Sequence, residues 1–177
     1  MNIKNIFLLS LISLFTIISC KPGKDEDLTY IKKLEEQCYS PKAVKLDNKL
    51  ANELILAYAD FCNKYPQDTL SPGFLFKAGE VAMSLNLGTQ ALEYFGRFKA
   101  QYPNLKKAPH CLFLEGFIYE TILKDLVKAK EKYLEFLEKY PNHELAKDAK
   151  ASIELLGKSP EDVIKSFEEK AKQEDKK

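Results

Sequence analysis

His110 and Cys111 are the neighbouring residues with the clearest potential for chemistry, either as ligands of a metal ion or as a base beside a nucleophile. Side chains of adjacent residues on a helix point about 100° apart, so the two do not converge on one ion or one substrate atom. A metal site also needs further ligands, and the sequence, with two histidines in all, shows no second ligand pair at a useful spacing. We therefore expect no metal site and no nucleophilic catalysis at this pair.

Cys38, Cys62 and Cys111 are expected to be free thiols. An odd number of such thiols outside the cytoplasm leaves at least one unpaired. Cys38 and Cys62 fall on the apolar stripes of neighbouring helices, but in an antiparallel pair they lie toward opposite ends, which argues against a disulfide. The favoured interpretation is that all three are small buried apolar groups.

The other residue types used in catalysis form no recognisable site. Glu131, Glu135 and Glu138 alternate with lysines along one helix, which is typical of a solvated face with ion pairs. The sequence has no Gly-rich phosphate loop, no G-x-S-x-G and no H-E-x-x-H. A net charge of +1 argues against nucleic acid as a partner. We expect a protein that is not an enzyme and binds no small-molecule cofactor; an enzyme of unrecognised kind is the alternative.

The first nineteen residues have the features of a signal peptide. A short polar start with one lysine precedes an apolar run over residues 6–18, which is too short to span a bilayer comfortably. The run ends at Ile18-Ser19-Cys20, which resembles the lipobox of bacterial lipoproteins. The resemblance implies cleavage before Cys20 and acylation of Cys20, and several acyl chains anchor a protein without a transmembrane helix. An ordinary secretory signal with an incidental cysteine is the alternative.

The domain boundaries follow from this leader. Residues 1–19 are expected to be the signal peptide, 20–27 the lipidated cysteine and a flexible tether, 28–173 a helical repeat domain, and 174–177 a charged tail. Lys21 after the cysteine does not resemble an inner-membrane retention signal. The cluster Asp25-Glu26-Asp27 resembles the surface-export signals of some bacterial lipoproteins, and a solvated linker is the simpler interpretation.

An internal repeat organises the rest of the chain. Tyr-Pro dipeptides begin at Tyr65, Tyr102 and Tyr140, at spacings of 37 and 38 residues. Each is preceded by Phe four residues before the Tyr and by another aromatic residue three positions earlier. Apolar residues between the dipeptides recur at spacings of three and four, which indicates amphipathic helices. Because Pro disfavours α geometry in the residue before it, each Tyr-Pro is expected to end a helix.

This pattern predicts an all-α fold, a right-handed α-solenoid of about four antiparallel helix pairs. Thr89 and Asp125 are expected to cap the second helices of their units. The predicted helices cover residues 27–39, 47–64, 72–86, 89–101, 107–123, 126–140, 143–156 and 160–173.

Two units resemble the tetratricopeptide repeat. In both, a glycine on the first helix is expected at a close helix crossing, an alanine on the second helix faces it, and aromatic side chains fill the space between units. The flanking pairs, 27–66 and 142–173, lack these residues and are expected to be capping units. The positions that carry the pattern are Leu75, Ala78, Gly79, Ala82, Ala91, Phe95 and Pro103 in one unit, and Leu112, Glu115, Gly116, Tyr119, Ala129, Tyr133 and Pro141 in the next.

The resemblance implies a binding face. In tetratricopeptide proteins the first helix of each pair lines the concave surface, where an extended peptide or a helix of the partner binds. Here that surface is expected to be an aromatic stripe with a carboxylate rim. The alternative is that the three phenylalanines fill the gap between units. The expected residues are Phe76, Glu80, Met83, His110, Phe113, Phe117 and Glu120.

A lipobox combined with such repeats resembles outer-membrane-assembly lipoproteins of the BamD type and periplasmic repeat proteins associated with the Tol-Pal system. The resemblance implies a scaffold anchored to the outer membrane through Cys20, facing the periplasm and binding envelope proteins through its concave face. A surface-exposed lipoprotein that binds an external ligand or a host component is the alternative.

Overall fold

The computed structural model describes residues 23–40, 47–159 and 161–165. These residues form helices and turns without a strand, which confirms the all-helical prediction. Cys20, the leader 1–19 and the tail 174–177 lie outside the described residues. A further helical stretch covers 161–165. The helices with defined bounds are α1 (Lys24–Cys38), α2 (Asn48–Lys64), α3 (Ser71–Ser84), α4 (Gly88–Gln101), α5 (Lys107–Thr121), α6 (Leu126–Lys139) and α7 (Ala146–Leu155).

The helices pack as antiparallel pairs in chain order. Residues 85–87 join α3 to α4, and residues 122–125 join α5 to α6, and such short links bring the chain straight back along its own pair. The second helix of each pair also packs against the first helix of the next pair, α2 against α3 and α4 against α5. This is a solenoid in which each unit contacts its neighbours. No helix in the described ranges has the length and apolar character needed to cross a membrane.

The Tyr-Pro dipeptides end the second helices, as predicted. In all three, the tyrosine N–H donates to the carbonyl of the phenylalanine four residues earlier, at 2.8 Å, and the helix stops there. The turns also connect neighbouring units, because the Tyr102 hydroxyl donates to the carbonyl oxygen of Pro66 at 3.0 Å. The Tyr102-Pro103 dipeptide therefore ends α4 and also contacts the turn of the preceding unit.

Repeated aromatic positions make up the centre of the core. The six residues that precede the Tyr-Pro dipeptides at the two repeated spacings are each no more than 1% exposed. Burying a side chain of this size stabilises the fold by about 1.5–3 kcal/mol relative to leaving it in water. The six residues are Tyr58, Phe61, Phe95, Phe98, Tyr133 and Phe136.

The first helix begins earlier than predicted, so the expected tether over residues 20–27 is too long at its C-terminal end. Lys24 is the first residue of α1, and the acidic cluster forms its first turn, where carboxylates interact favourably with the helix N-terminus. Asp27 also accepts hydrogen bonds from the Lys64 ammonium and the Tyr65 hydroxyl, both at 3.1 Å. The cluster is therefore part of the folded domain.

One of the two predicted helix caps is confirmed. The Asp125 carboxylate accepts a hydrogen bond from the backbone N–H of Lys128 at 3.0 Å and caps α6. The prediction for Thr89 is wrong, because α4 begins one residue earlier, at Gly88, and has no side-chain cap. Gly88 lies so close to α5's C-terminal end that an added Cβ would be 2.9 Å from the Leu123 side chain. Close packing thus accounts for the glycine at the start of α4.

Candidate protein-interaction face

The first helices of successive units lie side by side. The Lys77 ammonium on α3 is 2.7 Å from a Glu35 carboxylate oxygen on α1. The Lys107 ammonium on α5 lies 3.7 Å from the centroid of the Phe76 ring on α3. Helices α1, α3 and α5 therefore form one layer of the solenoid, and the second helices α2, α4 and α6 form the other.

The repeat glycines determine which side of each first helix faces the second layer. A Cβ added at Gly79 would lie 2.6 Å from the Phe95 ring, and one added at Gly116 would lie 2.7 Å from the Tyr133 ring. The next residue along a helix is rotated by about 100°, away from that contact. Glu80 and Phe117 occupy this next position, and both are exposed. Phe117 has 39% of its surface exposed to solvent.

One turn further on, Met83 and Glu120 occupy equivalent positions at the edge of the same surface. Both are half-buried. We call the surface formed by Glu80, Met83, Phe117 and Glu120 the first-helix face.

Glu120 is held in place by a tyrosine of the second layer. The Tyr133 hydroxyl donates to a Glu120 carboxylate oxygen at 2.7 Å. Burial, together with this hydrogen bond, raises the pKa of Tyr133 well above its usual range. In the unit formed by α3 and α4, Phe95 stands at the position of the tyrosine and Met83 at that of the glutamate, so both positions are apolar there.

The same hydrogen bond occurs in the first pair of helices. The Tyr58 hydroxyl donates to Glu35 at 2.6 Å, and the Lys77 ammonium donates to the same carboxylate oxygen at 2.7 Å. Burial opposes ionisation of Glu35, but these two hydrogen bonds lower its pKa below the usual value. The carboxylate therefore stays ionised and joins α1 to α2 and α3.

The structure corrects the assignment of Phe76 to an open binding face. Phe76 is 5% exposed, and its ring packs against Phe95 at 5.5 Å and Phe98 at 5.8 Å between centroids. Lys107 from the next unit covers the remaining side. Phe76 thus fills the gap between units, in agreement with the alternative interpretation of the aromatic stripe.

Phe113 is also mainly a packing residue. It is half-buried, and its ring lies 5.5 Å from that of Tyr133 and 5.8 Å from that of Phe136. It packs against an apolar cluster formed by Leu112 and buried residues of α6. Of the three predicted aromatic residues, Phe117 alone lies open to solvent.

His110 lies apart from the first-helix face, at the opposite end of α5 from Phe117 and Glu120. Its ring packs edge-on against that of His143 at 5.0 Å between centroids, and its Nε2 is 3.3 Å from a Glu144 carboxylate oxygen. Neither His143 nor Glu144 was predicted as a partner from the sequence. The sequence does contain a hint. His110 lies in the first turn of α5 and His143 follows the next Tyr-Pro dipeptide, so both lie where successive units begin.

Glu115 is a buried carboxylate between the two best-defined repeats. It is 5% exposed, with the Lys99 ammonium at 2.8 Å and the Lys132 ammonium at 3.5 Å. Lys99 belongs to α4 and Lys132 to α6, so this one carboxylate links three helices. A buried charge of this kind requires such partners to offset its desolvation. The geometry indicates a structural role.

The residues expected to pack the repeats divide into a buried group and two turn residues. Pro103 and Pro141 are exposed in the turns after α4 and α6. The rest are fully buried at the crossing of each first helix with its second helix. These residues are Gly79, Ala91, Phe95, Gly116, Ala129 and Tyr133.

The thiols in the described ranges are free and buried, in agreement with the interpretation as apolar groups. Burial raises the pKa of Cys62 to about 11 and that of Cys111 to about 12. Burial also raises the pKa of the Cys38 thiol. Thiols that stay protonated near neutral pH are poor nucleophiles and poor metal ligands. The three thiols are those of Cys38, Cys62 and Cys111.

Comparison with known proteins agrees with the repeat assignment. The family model described as Tetratricopeptide repeat matches residues 74–105 and 110–143. No curated protein matches the chain. The first match covers α3 and α4 and the second covers α5 and α6, so each is one antiparallel pair. Each of the two helix pairs is therefore similar to a tetratricopeptide repeat, and repeats of this kind are protein–protein interaction modules.

Proposed function

We propose that this protein is a lipid-anchored scaffold of the bacterial cell envelope, which binds another envelope protein through its first-helix face. The observation that carries the proposal is the exposure of Phe117. The other phenylalanines in the described ranges are buried or half-buried, whereas Phe117 is 39% exposed at a position where repeats of this kind meet their ligands. The proposed role of the protein is the assembly or organisation of outer-membrane or periplasmic components.

The chemistry of the face specifies the kind of partner. Phe117 offers an apolar contact, and completing the burial of such a ring contributes a fraction of the about 1.5–3 kcal/mol of a fully buried side chain. Glu80 is exposed beside it along the layer, and Glu120 is half-buried. An apolar anchor with a carboxylate rim favours a helix or extended segment that carries an apolar residue flanked by Lys or Arg.

The experiment is crosslinking and affinity capture from intact cells with the native protein and two face variants. Phe117→Glu places a charge where the apolar contact is expected, and Glu80→Lys reverses the charge of the rim. Leu134→Glu on α6 is the matched control, because Leu134 is an exposed apolar residue of the second layer, with 49% of its surface in solvent. Melting temperatures of all variants are measured first, so that captures are compared at equal stability.

We expect the native protein and Leu134→Glu to capture the same partner, and both face variants to lose it. A partner retained by both Phe117→Glu and Glu80→Lys would refute the assignment of this face. A charge at Phe113 would instead disturb the core, because its ring packs against Tyr133 and Phe136.

The lipid anchor rests on the leader, in which an apolar run ends at Ser19-Cys20. We expect Cys20→Ala to abolish acylation and release the protein from membranes, because the hydrocarbon chains supply the anchoring free energy. Mass spectrometry of the membrane fraction measures the added lipid directly. A Cys20→Ala protein that still sediments with the outer membrane would rule out this anchor.

Exposure to added protease on intact cells separates the periplasmic location from the cell-surface alternative. The acidic cluster that resembles a surface-export signal has structural partners, since Asp27 contacts Lys64 and Tyr65. This gives the cluster a function within the fold and favours the periplasmic side. Protection from protease in intact cells, with degradation after permeabilisation, is the expected result.

A further inference from the structure

The only two histidines of the sequence meet at the junction between the second repeat and α7. His110 lies in the first turn of α5, and His143 and Glu144 lie in the turn before α7. One ligand atom from each of the three residues lies within 4.8 Å of those of the other two. Two imidazoles and a carboxylate at this separation are donors that can share one metal ion.

The orientation of His110 is set by its backbone contact. Its Nδ1 is 3.3 Å from the carbonyl oxygen of Lys106, which can only accept a hydrogen bond. The backbone contact therefore holds Nδ1, and Nε2 is the nitrogen that faces Glu144. A backbone carbonyl that holds the non-ligating nitrogen is the usual support for a metal-binding histidine.

The distance between His110 Nε2 and Glu144 is that expected of two ligands of one tetrahedral ion. The two atoms are 3.3 Å apart. Zinc bonds of about 2.0–2.1 Å at tetrahedral angles place neighbouring ligand atoms about 3.3–3.4 Å apart. An imidazole nitrogen and a carboxylate oxygen are both ligand types that Zn²⁺ accepts.

His143 is the adjustable member of the group. Its Nδ1 accepts a hydrogen bond from the Leu145 N–H at 3.2 Å. Ligation through Nδ1 uses the same lone pair, and ligation through Nε2 requires the proton to sit on Nδ1, so either route gives up the Leu145 contact. We therefore expect a weaker site than one whose ligands are all held ready before the metal binds.

We propose that His110, His143 and Glu144 form a binding site for a divalent transition-metal ion, for which Zn²⁺ is the probe. Two imidazoles and one carboxylate suit Zn²⁺ and its transition-metal neighbours, whereas Mg²⁺ and Ca²⁺ prefer all-oxygen ligands. The site is open, with 35% of the His110 side chain and 74% of the Glu144 side chain exposed, which leaves the fourth position to water. A bound ion joins α5 to the segment that begins α7.

The test is a titration of the full chain with Zn²⁺ at neutral pH, under reducing conditions and with Cys20 changed to serine to remove a competing thiolate. Calorimetry gives stoichiometry and affinity, and NMR spectra of the imidazole groups report on the site directly, because the sequence has two histidines and both belong to it. Ca²⁺ and Mg²⁺ are titrated in parallel. The variants are His110→Ala and Glu144→Gln, with Glu138→Gln, an exposed carboxylate of α6, as the control.

We expect one Zn²⁺ per chain, shifts in the signals of both histidines, and a melting temperature that rises with Zn²⁺ concentration. His110→Ala should weaken binding at least tenfold and Glu144→Gln several-fold, with Glu138→Gln unchanged. The proposal would be overturned if both site variants bound Zn²⁺ as tightly as the native protein, or if binding left the histidine signals unmoved. The absence of binding up to millimolar Zn²⁺ would also overturn it. The scaffold function does not depend on this result, because the first-helix face shares no residue with the site.

Discussion

Replacing Gly79 by alanine tests the close crossing between the helices of the first repeat. The new Cβ would lie 2.6, 2.8 and 2.9 Å from three atoms of the Phe95 ring. Real Cβ contacts of that length do not occur, so the ring or the helix must move. Phe95 is fully buried and packs against the Phe76 ring at 5.5 Å, which leaves the ring little freedom to turn aside.

Gly96 on α4 supplies the matched control. It is a helical glycine of the same repeat, and nothing lies within 4 Å of a Cβ added there. Alanine stabilises a helix interior by about 0.5–1 kcal/mol relative to glycine, and this gain applies to both substitutions. The difference between the variants therefore isolates the steric cost at Gly79, which is about 1–3 kcal/mol for overpacking a core.

The assay is chemical denaturation followed by helical circular dichroism. We expect Gly96→Ala to be more stable than the native protein, and Gly79→Ala to be less stable than Gly96→Ala by about 1–3 kcal/mol. In a domain of this length each kcal/mol corresponds to about 2–4 °C in melting temperature.

Combining Gly79→Ala with Phe95→Leu should recover part of the loss, because the smaller side chain removes the collision. The double-mutant cycle measures that coupling directly. Equal stability of Gly79→Ala and Gly96→Ala would refute the close crossing, and so would a double variant whose losses simply add.

The remaining predictions concern buried polar groups and thiols. Glu115→Ala should cost about 1.5–3 kcal/mol of unfolding free energy by removing charged hydrogen bonds, while Glu138→Ala, at the surface, should change it by less than about 0.5 kcal/mol. Tyr133→Phe should destabilise the fold by depriving Glu120 of its donor at 2.7 Å. Adding Glu120→Met should restore stability, because both positions then carry the apolar residue types found in the unit of α3 and α4, and no recovery in the double variant would contradict this. Because the pKa of Glu35 is lowered in the folded state, its contribution is present above its usual pKa of 4.5 and is lost as pH falls through the lower folded value, so Glu35→Gln should flatten the acid limb of the stability curve. A thiol reagent at pH 8 should leave three buried thiols unmodified until denaturant is added, and rapid labelling of the folded protein would contradict their burial: Cys38, Cys62 and Cys111.

The helical architecture could be predicted from the sequence because it depends on local rules. The Tyr-Pro dipeptide ends a helix because the proline ring clashes with α geometry in the residue before it. Asp125 caps α6 through a contact with the backbone three residues away. The glycine that begins α4 has a different origin. Gly88 is required by the distant Leu123 side chain, and a contact across 35 residues leaves no local signal.

The binding face could be predicted only in part. Phe76 and Phe113 precede the repeat glycines by three residues, and Phe117 follows one by a single residue, so all three share the helical spacing of a stripe. Which of them is covered depends on how one unit stacks on the next, as Lys107 does on Phe76. The meeting of His110 with His143 has the same origin, since residues of consecutive units come together only after the solenoid has formed.

Site-specific photocrosslinking in intact cells tests the central claim, that the first-helix face binds an envelope protein, most directly. A photoreactive amino acid is placed at position 117 in one strain and at position 134, an exposed apolar site of the second layer, in another. The account predicts one discrete crosslinked partner from position 117 and none from position 134. The same partner from both positions, or a partner from position 134 alone, would contradict it.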